Sequence, residues 1–351
     1  MKKQIAITAS MFLAVSLAAC GSSSAATSAP AETTAVAAAP ETITIEALDA
    51  SESPTEVTVP YNPQRLAVMD FAALDVIDNL GLGDRVVGAS TTTIDYLSSY
   101  NDSAANLGNI KEADLEAVAA CEPDLIFIGG RLATSYDALS KIAPVVLLTT
   151  DSSIGLVAST EKNAKTIASI FGMEDQIDSL MSDYQSRIDA LKEVASGQSA
   201  IIGMCTAGSF NIIGEGGHLS LITNEVGFTN AGVGYTTERS SSAKSSASAD
   251  ASADASANTS SSNPHGTESS FELLPKINPD WIFVMDRDST IGTNGAQLAA
   301  DIMNNEVVNS TTAAQNGHLV ILAHPAVWHT AECGITALGM MISDLEAAML
   351  K

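Results

Sequence analysis

Two arginines follow matching segments of the chain, and together they could hold an anion. A Glu-Pro-Asp motif with an apolar run spans residues 122–128 and precedes Arg131, and an Asn-Pro-Asp motif with an apolar run spans 278–284 and precedes Arg287. Each apolar run is typical of a buried strand, so each arginine falls just past a strand's carboxyl end. Open α/β sheets bind ligands at that edge. The sequence therefore predicts that Arg131 and Arg287 face each other across a ligand cleft, where guanidinium groups donate charge-assisted hydrogen bonds.

The histidines all lie in the second half of the chain, after residue 217. His324 and the pair Trp328–His329 follow a predicted strand, so they point toward the same sheet edge as Arg287. Imidazole is a frequent metal ligand, and its presence beside two arginines favours an anionic ligand that carries a metal. His318 lies in a predicted hairpin turn and is interpreted as solvated.

Motifs that would indicate an enzyme are missing from the sequence. It contains neither H-E-x-x-H nor G-x-S-x-G, which weakens an enzyme interpretation without excluding it. The glycine turn at 214–217 could cradle an anion at a helix N-terminus, but it lacks dinucleotide or P-loop spacing, so a plain turn is the favoured interpretation. Cys121, Cys205 and Cys333 form no C-x-x-C pair and are predicted to be buried thiols, with one disulfide among them left open.

The elements that must position these side chains form two related α/β lobes. Apolar strand patterns alternate with amphipathic helix patterns before residue 172 and again after residue 198, as in parallel sheets flanked by helices. We predict an N-terminal lobe at 42–172 and a C-terminal lobe at 198–351. Between them, an apolar stripe bracketed by glycines predicts one continuous helix at 173–197, about 36 Å long. The predicted fold class is α/β, with two Rossmann-like lobes joined by one long rigid helix and a ligand cleft between the lobes.

The first 41 residues and one internal segment do not have the pattern of a folded domain. Lys2 and Lys3 precede an apolar run that ends at Ala19, which predicts a secretion signal at 1–19. The tetrapeptide that ends at Cys20 resembles the bacterial lipobox, which implies that Cys20 is lipidated. Residues 20–41 are predicted to be a disordered tether, and the Ser- and Ala-rich residues 240–262 a disordered insertion.

Length and charge limit the classes of fold and partner. The chain has 351 residues, of which 46% are hydrophobic, and this suffices for two sizeable cores. Its formal net charge of −25 at pH 7 argues against nucleic acid or anionic lipid as a partner.

Several of these segments resemble those of one protein family. The lipobox, the tether, residues 59–65 and the two Pro-Asp segments are similar to those of the helical-backbone (class III) solute-binding lipoproteins of iron-uptake ABC importers. Among these proteins, the resemblance is nearest to the branch that binds catecholate siderophores. It extends from about Glu56 to the C-terminus, apart from the insertion.

The resemblance implies roles for individual residues. Arginines at the positions of Arg131 and Arg287 hold anionic catecholates in that branch, and a histidine in the loop that contains His265 can ligate iron. Glutamates on the outer face of each lobe dock onto arginines of the two permease subunits. Glu116 and Glu272, which are paired in the repeat, are the candidates here.

Two positions depart from the pattern of that branch. It usually has tyrosine as a second iron ligand after the tryptophan that corresponds to Trp328, where this chain has His329. It usually has arginine after the glycine turn, where this chain has His218. His218 and Trp328 are predicted to contact the ligand, and His265 and His329 the metal. Tyrosinate is a hard anionic ligand suited to Fe(III), whereas imidazole is softer and neutral, so a His265/His329 pair would also suit haem.

The sequence as a whole predicts a binding protein with no intrinsic cofactor. We expect a monomer, lipid-anchored outside the cytoplasm, that captures a ferric siderophore, most simply of the catecholate type, and delivers its iron(III) complex to an ABC permease and its ATPase. A haem or cobalamin receptor of the same fold is the first alternative. A secreted metal-dependent hydrolase and a surface adhesion module remain as alternatives from other classes.

Overall fold

The structure is a computed structural model, and it describes residues 41–214, 217–235, 269–290 and 295–351. The described residues all belong to one compact unit. The predictions for the signal at 1–19, for Cys20, for the tether up to residue 40, for the insertion at 240–262 and for His265 lie outside the described residues.

The strands and helices follow the predicted alternation. The strands are β1 (Thr42–Leu48), β2 (Pro54–Pro60), β3 (Leu66–Met69), β4 (Val86–Ala89), β5 (Ala105–Asn106), β6 (Gly108–Asn109), β7 (Glu112–Ala113), β8 (Leu125–Ile128), β9 (Val145–Leu147), β10 (Ser199–Thr206), β11 (Ser209–Ile212), β12 (Thr229–Asn230), β13 (Trp281–Asp286) and β14 (Leu319–Ile321). The helices are α1 (Phe71–Asn79), α2 (Tyr100–Ser103), α3 (Leu115–Ala120), α4 (Tyr136–Leu139), α5 (Leu156–Ser169), α6 (Asp175–Leu180), α7 (Tyr184–Ala195), α8 (Ser269–Ile277), α9 (Arg287–Thr290), α10 (Ala299–Met303), α11 (Glu306–Asn309), α12 (Thr312–Gln315), α13 (Pro325–Thr330) and α14 (Ile335–Met349).

The first lobe is built on a sheet with the strand order β2-β1-β9-β8-β3-β4-β5. Strands β3, β4, β5, β8 and β9 run parallel, and the antiparallel hairpin β1–β2 closes one edge. Every residue of β3, β8 and β9 is buried, because helices cover both faces of a parallel sheet. This explains why these strands are continuous apolar runs in the sequence.

The second lobe is built on a smaller sheet with the order β11-β10-β13-β14, and β12 pairs with β10. Strands β10, β13 and β14 run parallel, and β11 turns back antiparallel to β10. All residues of β13 are buried. Parallel central strands therefore carry both lobes, as the repeat predicts.

The sequence repeat is also a repeat of backbone conformation and hydrogen bonding. The residue before each proline, Glu122 or Asn278, has a positive φ, 45° and 48°. The next aspartate then ties down the start of the neighbouring strand. Asp124 Oδ2 accepts from Arg65 N at 3.0 Å, just before β3, and Asp280 Oδ2 accepts from Ser199 N at 2.8 Å, at the start of β10. Each aspartate thereby sets the register between two parallel strands.

The predicted continuous helix at 173–197 is wrong, because the structure divides it into α6 and α7. A turn at residues 181–183 separates them. The Ser182 hydroxyl donates to the Ser179 carbonyl at 3.0 Å, and the Ser186 hydroxyl donates to the Asp183 carbonyl at 2.8 Å. Such local side-chain bonds compete with the helical ladder. At 12 residues, α7 is about 18 Å long.

The C-terminal helix α14 supplies a brace between the lobes that the sequence did not predict. It packs on α1, α5 and α7 as well as on α13. The backbone N–H groups of Thr336 and Ala337 donate to the buried carboxylate of Asp75 on α1, at 3.0 and 2.9 Å. Arg187 on α7 makes two bonds with the Glu346 carboxylate on α14, at 2.9 and 2.7 Å. Thus α14, which was predicted as part of the C-terminal lobe, belongs equally to the interlobe region.

Within the described part of the chain, no helix combines the length and the apolar character needed to cross a membrane.

Candidate ligand-binding site

A cavity of about 580 Å³ lies where the carboxyl ends of β3, β8 and β9 meet the second lobe. The first lobe contributes Asp70, residues 129–131 and residues 148–150, and the second lobe contributes His218 and the segment that includes His329. The volume lies in the usual range of a small-molecule site. The predicted sheet edge therefore does carry a cavity of the size of a small-molecule site.

Arg131 projects from the turn that follows β8, and it reaches across the cleft. Its Nη2 donates to the backbone carbonyl of His329, in the second lobe, at 2.8 Å. Burial lowers the pKa of Arg131, whereas the nearby carboxylates of Glu332 and Asp70 oppose that shift. An arginine remains charged under these conditions, so a partly desolvated cation lies in the cavity wall.

Arg287 begins α9, directly after β13, and lies close to the same cleft. Its Nη1 donates to the Thr206 hydroxyl at 3.2 Å. Its charge helps to lower the pKa of Arg131, so the two guanidinium groups lie within electrostatic reach of each other. Arg131 lines the cavity and Arg287 does not. The structure thus brings the arginines into one region, but it gives Arg131 the inner position.

His218 and His329 lie together on the wall opposite Arg131. Their rings meet edge to face with centroids 4.6 Å apart, and His218 Nδ1 lies 3.0 Å from a carboxylate oxygen of Glu332. Only 7% of His329 is exposed, and its Nδ1 has no hydrogen-bond partner among the described residues. Burial, aided by the charges of His218, Arg131, Arg287 and Lys111, lowers the pKa of His329 to about 3. His329 is therefore neutral at pH 7, and its buried Nδ1 is left without a partner among the described residues.

Acidic residues also line the cavity, and the sequence analysis missed them. Asp70 follows β3 and caps α1, since its Oδ1 accepts from Ala73 N at 2.9 Å. Burial raises the pKa of Asp70 to about 6. Its position just past a strand's carboxyl end, like that of Arg131, is a signal that could have identified it. Glu332, three residues after His329, has no comparable strand signal.

Trp328 corrects one prediction, because its side chain does not reach the cavity. It is fully buried in the core, and its Nε1 donates to Asp344 Oδ2 at 2.9 Å. The imidazole of His324 bonds the same carboxylate at 2.7 Å. Residues 325–330 form helix α13 rather than a loop, so neighbouring side chains point in different directions. His329 faces the cavity and Trp328 faces the core.

His318 is also not merely solvated. Its ring stacks on Trp281 with centroids 3.9 Å apart and planes 2° apart, and its Nδ1 lies 3.0 Å from the Asp280 carbonyl. It therefore helps to hold the amino ends of β13 and β14, away from the cavity.

Glu116 and Glu272 lie on equivalent exposed helix positions. Glu116 is in the first turn of α3, which precedes β8, and Glu272 is in the first turn of α8, which precedes β13. Both side chains are exposed. Each stands seven residues before the proline of its repeat, so the duplicated units present the two carboxylates in the same way.

The thiols and metal-ligating groups show no preformed metal centre in the described part of the chain. Cys121, Cys205 and Cys333 are buried and free. No group of three or more His, Cys, Asp or Glu among the described residues could hold an ion.

Comparison with known proteins assigns the chain to a family. The periplasmic binding protein family model matches residues 66–326. The chain belongs to this family. The family consists of solute-binding proteins, so this binding protein is not an enzyme, and the resemblance predicted from its motifs is confirmed.

Relatives of this binding protein include two proteins that are named for the compounds that they bind. The petrobactin-binding protein YclQ of Bacillus subtilis is 30% identical over 297 residues, 84% of each chain. The ferric-anguibactin-binding protein FatB of Vibrio anguillarum is 23% identical over 298 residues, 83% of this chain and 84% of FatB.

Solved structures of family members share its fold. The YclQ crystal structure superposes with a TM-score of 0.72 at 29% identity, covering 89% of this chain and all of that one. The catecholate-siderophore-binding protein VctP of Vibrio cholerae gives 0.70 at 28%, covering 88% of this chain and all of VctP. The predicted two-lobed α/β fold class is confirmed.

Proposed function

We propose that this protein is the substrate-binding lipoprotein of an ABC importer and that it captures a ferric siderophore, of the catecholate type, in the cavity between its lobes. The observation that carries the proposal is the cavity wall formed by Arg131, His218 and His329, with Arg287 behind it. YclQ, FatB and VctP are named as binding proteins for petrobactin, ferric anguibactin and catecholate siderophores, and they support the same class of ligand.

The basic side chains at the cleft could bind an anionic ligand, and Asp70 and Glu332 line the same cavity. The chain carries a formal net charge of −25, yet Arg131, Arg287 and Lys111 all act on the ring of His329. A ligand with several negative oxygens can accept charge-assisted hydrogen bonds from the guanidinium groups. It would also replace the carbonyl of His329 as the acceptor for Arg131.

His329 is the proposed contact to the metal. A neutral imidazole with an unpartnered nitrogen can ligate iron wherever the siderophore leaves a coordination position open. His265 is the second proposed ligand from the family pattern, and it lies outside the described residues. Iron(III) is here the cargo, delivered with its chelator, and not a resident cofactor.

The proposed cellular setting follows from the N-terminal sequence and from the names of relatives. Two relatives are named as ABC-transporter substrate-binding lipoproteins. We infer cleavage after residue 19, lipidation of Cys20 and a monomer tethered outside the cytoplasm by residues 20–41. Glu116 and Glu272 would dock onto the two permease subunits. Mass spectrometry of the N-terminal peptide of the mature protein tests the anchor, and a Cys20 without lipid would refute it.

Binding of a ligand panel tests the proposal directly. Apoprotein is incubated with ferric catecholate, hydroxamate and citrate chelates and with haem, desalted, and examined by native mass spectrometry and visible absorption. We expect a ferric catecholate to stay bound with one chelate per chain. Retention of haem with a Soret band, and of no ferric chelate, would replace the proposal with the haem receptor. Binding of none would reject both.

A further inference from the structure

An aspartate lies on the buried face of helix α14, where its neighbours are apolar. Asp344 is 8% exposed, and Met341 and Leu345 beside it belong to the core. A carboxylate in such surroundings loses its hydration, so it is tolerated only where hydrogen bonds replace the lost water. The hydrogen-bond partners of Asp344 therefore show which part of the molecule this carboxylate holds.

Three polar groups from α13 and its N-cap residue surround the carboxylate of Asp344. The indole Nε1 of Trp328 donates to Oδ2 at 2.9 Å, and the backbone N of His324 donates to the same oxygen at 3.2 Å. The ring Nδ1 of His324 lies 2.7 Å from Oδ1. Trp328 is fully buried, so its N–H has to find an acceptor inside the protein. Asp344 thereby fixes both the start of α13 and a side chain in its middle.

The rotation of α13 about its own axis decides where His329 points. Helix α13 has six residues, and a helix this short depends on tertiary contacts for its stability. Successive residues of an α-helix are turned from each other by about 100°. While Trp328 is held against α14, His329 points in a different direction and lines the cavity. Its carbonyl then accepts from Arg131 Nη2 at 2.8 Å.

Helix α14 links this anchoring to the first lobe. Near its N-terminus, α14 is bonded to the buried Asp75 of α1. About two turns further along, its Asp344 is bonded to α13. The same helix therefore contacts the first lobe at one point and the helix that carries His329 at another. Asp344 thus sets the position of His329 relative to the first-lobe wall of the cavity, which carries Arg131.

We propose that Asp344 is a positioning residue of the ligand site and that it acts through His329. Its bonds to Trp328 and His324 orient α13, and the orientation of α13 presents His329 to the bound chelate. This inference depends on the proposed function, in which His329 contacts the metal. Asp344 does not line the cavity, so its effect on the ligand is transmitted by the helix that it holds. Residues behind a metal ligand commonly control metal affinity, because they fix the orientation of the ligating ring.

A ferric chelate with open coordination positions tests the inference. The probe is the ferric complex of a tetradentate bis-catecholate, which leaves positions on the iron that an imidazole can fill. Equilibrium dialysis, read from the visible absorption of the chelate, gives the Kd for Asp344→Ala, for His329→Ala and for the double variant. We expect each single variant to raise the Kd about tenfold. The double variant should raise it no further than His329→Ala does, because both substitutions act on one contact.

Two further variants separate positioning from stability. Asp124→Ala removes a strand anchor of the first lobe outside the cavity lining, so it should lower the stability and leave the Kd unchanged. Trp328→Phe keeps an aromatic ring in the core but removes the N–H that Asp344 accepts, and its Kd should lie between those of the wild type and Asp344→Ala. It tests the inference should Asp344→Ala not fold. Urea midpoints on the same preparations give the stability that each variant loses.

Each outcome either supports or overturns the inference. An unchanged Kd for Asp344→Ala, or for Trp328→Phe where Asp344→Ala does not fold, overturns the inference and leaves the proposed function standing. Losses that add in the double variant, or an equal loss in Asp124→Ala, assign Asp344 a structural role and also overturn it. If His329→Ala binds the chelate as the wild type does, the inference fails, while binding by the wild type still supports the proposed function. If the wild type binds no ferric catecholate, both fail together.

Discussion

At the scale of single residues, the cleft is a mixed-charge site and not a plain basic patch. Arg131 is within electrostatic reach of Asp70 and Glu332, and Glu332 also pairs with His218. The carbonyl of His329 accepts from Arg131, and the Glu332 carboxylate bonds His218, so both of these side chains already have partners that an anionic ligand would have to replace. Ligand binding is therefore an exchange of partners by Arg131, which limits the affinity that each arginine can add.

Removal of either arginine should weaken ligand binding. A hydrogen bond to a charged group contributes about 1.5–3 kcal/mol, so Arg131→Ala and Arg287→Ala should each raise the Kd for a ferric catecholate about tenfold or more. Quenching of tryptophan fluorescence on titration with the ligand measures the Kd of each variant. Arg131→Lys keeps the charge but loses the planar fork, and it should fall between the wild type and Arg131→Ala. An unchanged Kd for Arg287→Ala would remove Arg287 from the site.

Asp70 should make the protein less stable as the pH rises. Its folded-state pKa of about 6 lies above the ordinary value of 3.8 for an aspartate, so the folded chain binds the proton more tightly than the unfolded chain does. The resulting stabilisation is present below about pH 4 and is lost as the pH rises through about 6, by at most about 3 kcal/mol. In Asp70→Asn, the amide Oδ1 can still cap α1. Because the amide does not ionise, the variant does not lose this stability as the pH rises.

Urea unfolding at two pH values measures the effect. We expect Asp70→Asn to be more stable than the wild type near pH 7, by about 1–3 kcal/mol, with the difference shrinking near pH 4. A difference of the same size at both pH values would show that the substitution acts through packing or capping and not through the buried charge.

At the scale of elements, the molecule is a duplicated unit of helix, strand and arginine-bearing turn. Units α3–β8 and α8–β13 share the left-handed residue before proline, the strand-anchoring aspartate and the exposed glutamate. The shared bonds place both arginines at the same edge of their sheets. The interlobe segment does not share this regularity, since serine side chains interrupt it between α6 and α7.

The two anchoring aspartates should have similar energetic roles. Asp124 accepts from Gln64 N and Arg65 N, and Asp280 accepts from Ser199 N and Ser199 Oγ. Asp124→Ala and Asp280→Ala should each lower the free energy of unfolding by about 1–3 kcal/mol, because backbone donors lose their partner. Denaturant midpoints measure this loss of stability, and Asp102→Ala, a substitution at an exposed aspartate, is the control. A large effect in one lobe and none in the other would contradict the equivalence.

At the scale of the whole molecule, the lobes are coupled by more than a connecting segment. Helix α14 is bonded to Asp75 of the first lobe and to Arg187 of α7. Tyr184 on α7 also donates to the carbonyl of Ile335 at 2.8 Å. One core cluster joins residues from both lobes, so ligand capture is expected to need little relative movement of the lobes.

The proposed docking to a permease would use both lobes of the molecule at once. Because Glu116 and Glu272 are exposed on equivalent helices of the two lobes, their loss should impair transport without affecting capture. We expect the Glu116→Ala/Glu272→Ala double variant to bind a ferric catecholate as the wild type does and to support less uptake of labelled iron by cells. Glu193→Ala, an exposed change on α7, is the control. Normal uptake by the double variant would exclude these residues from docking.

Local sequence was sufficient for the alternation of strands and helices and for the duplication. Apolar runs, Pro-Asp motifs and glycine stops are properties of short segments, so β8, β13 and the placing of Arg131 and Arg287 after them could be predicted from neighbours along the chain. The same reasoning failed at residues 181–183, where the apolar stripe continues although serine hydroxyls interrupt the backbone ladder.

Which side chains meet in the cleft was decided only by the tertiary structure. Trp328 and His329 are adjacent in sequence, yet helix α13 turns one into the core and the other into the cavity. Arg131, Asp70 and Glu332 come from three separate segments of the chain, yet their charges act on one another in the cleft. Burial and the charge around a side chain depend on residues distant in the chain, which is why periodicity and spacing could predict the edge of the site but not its complete set of charges.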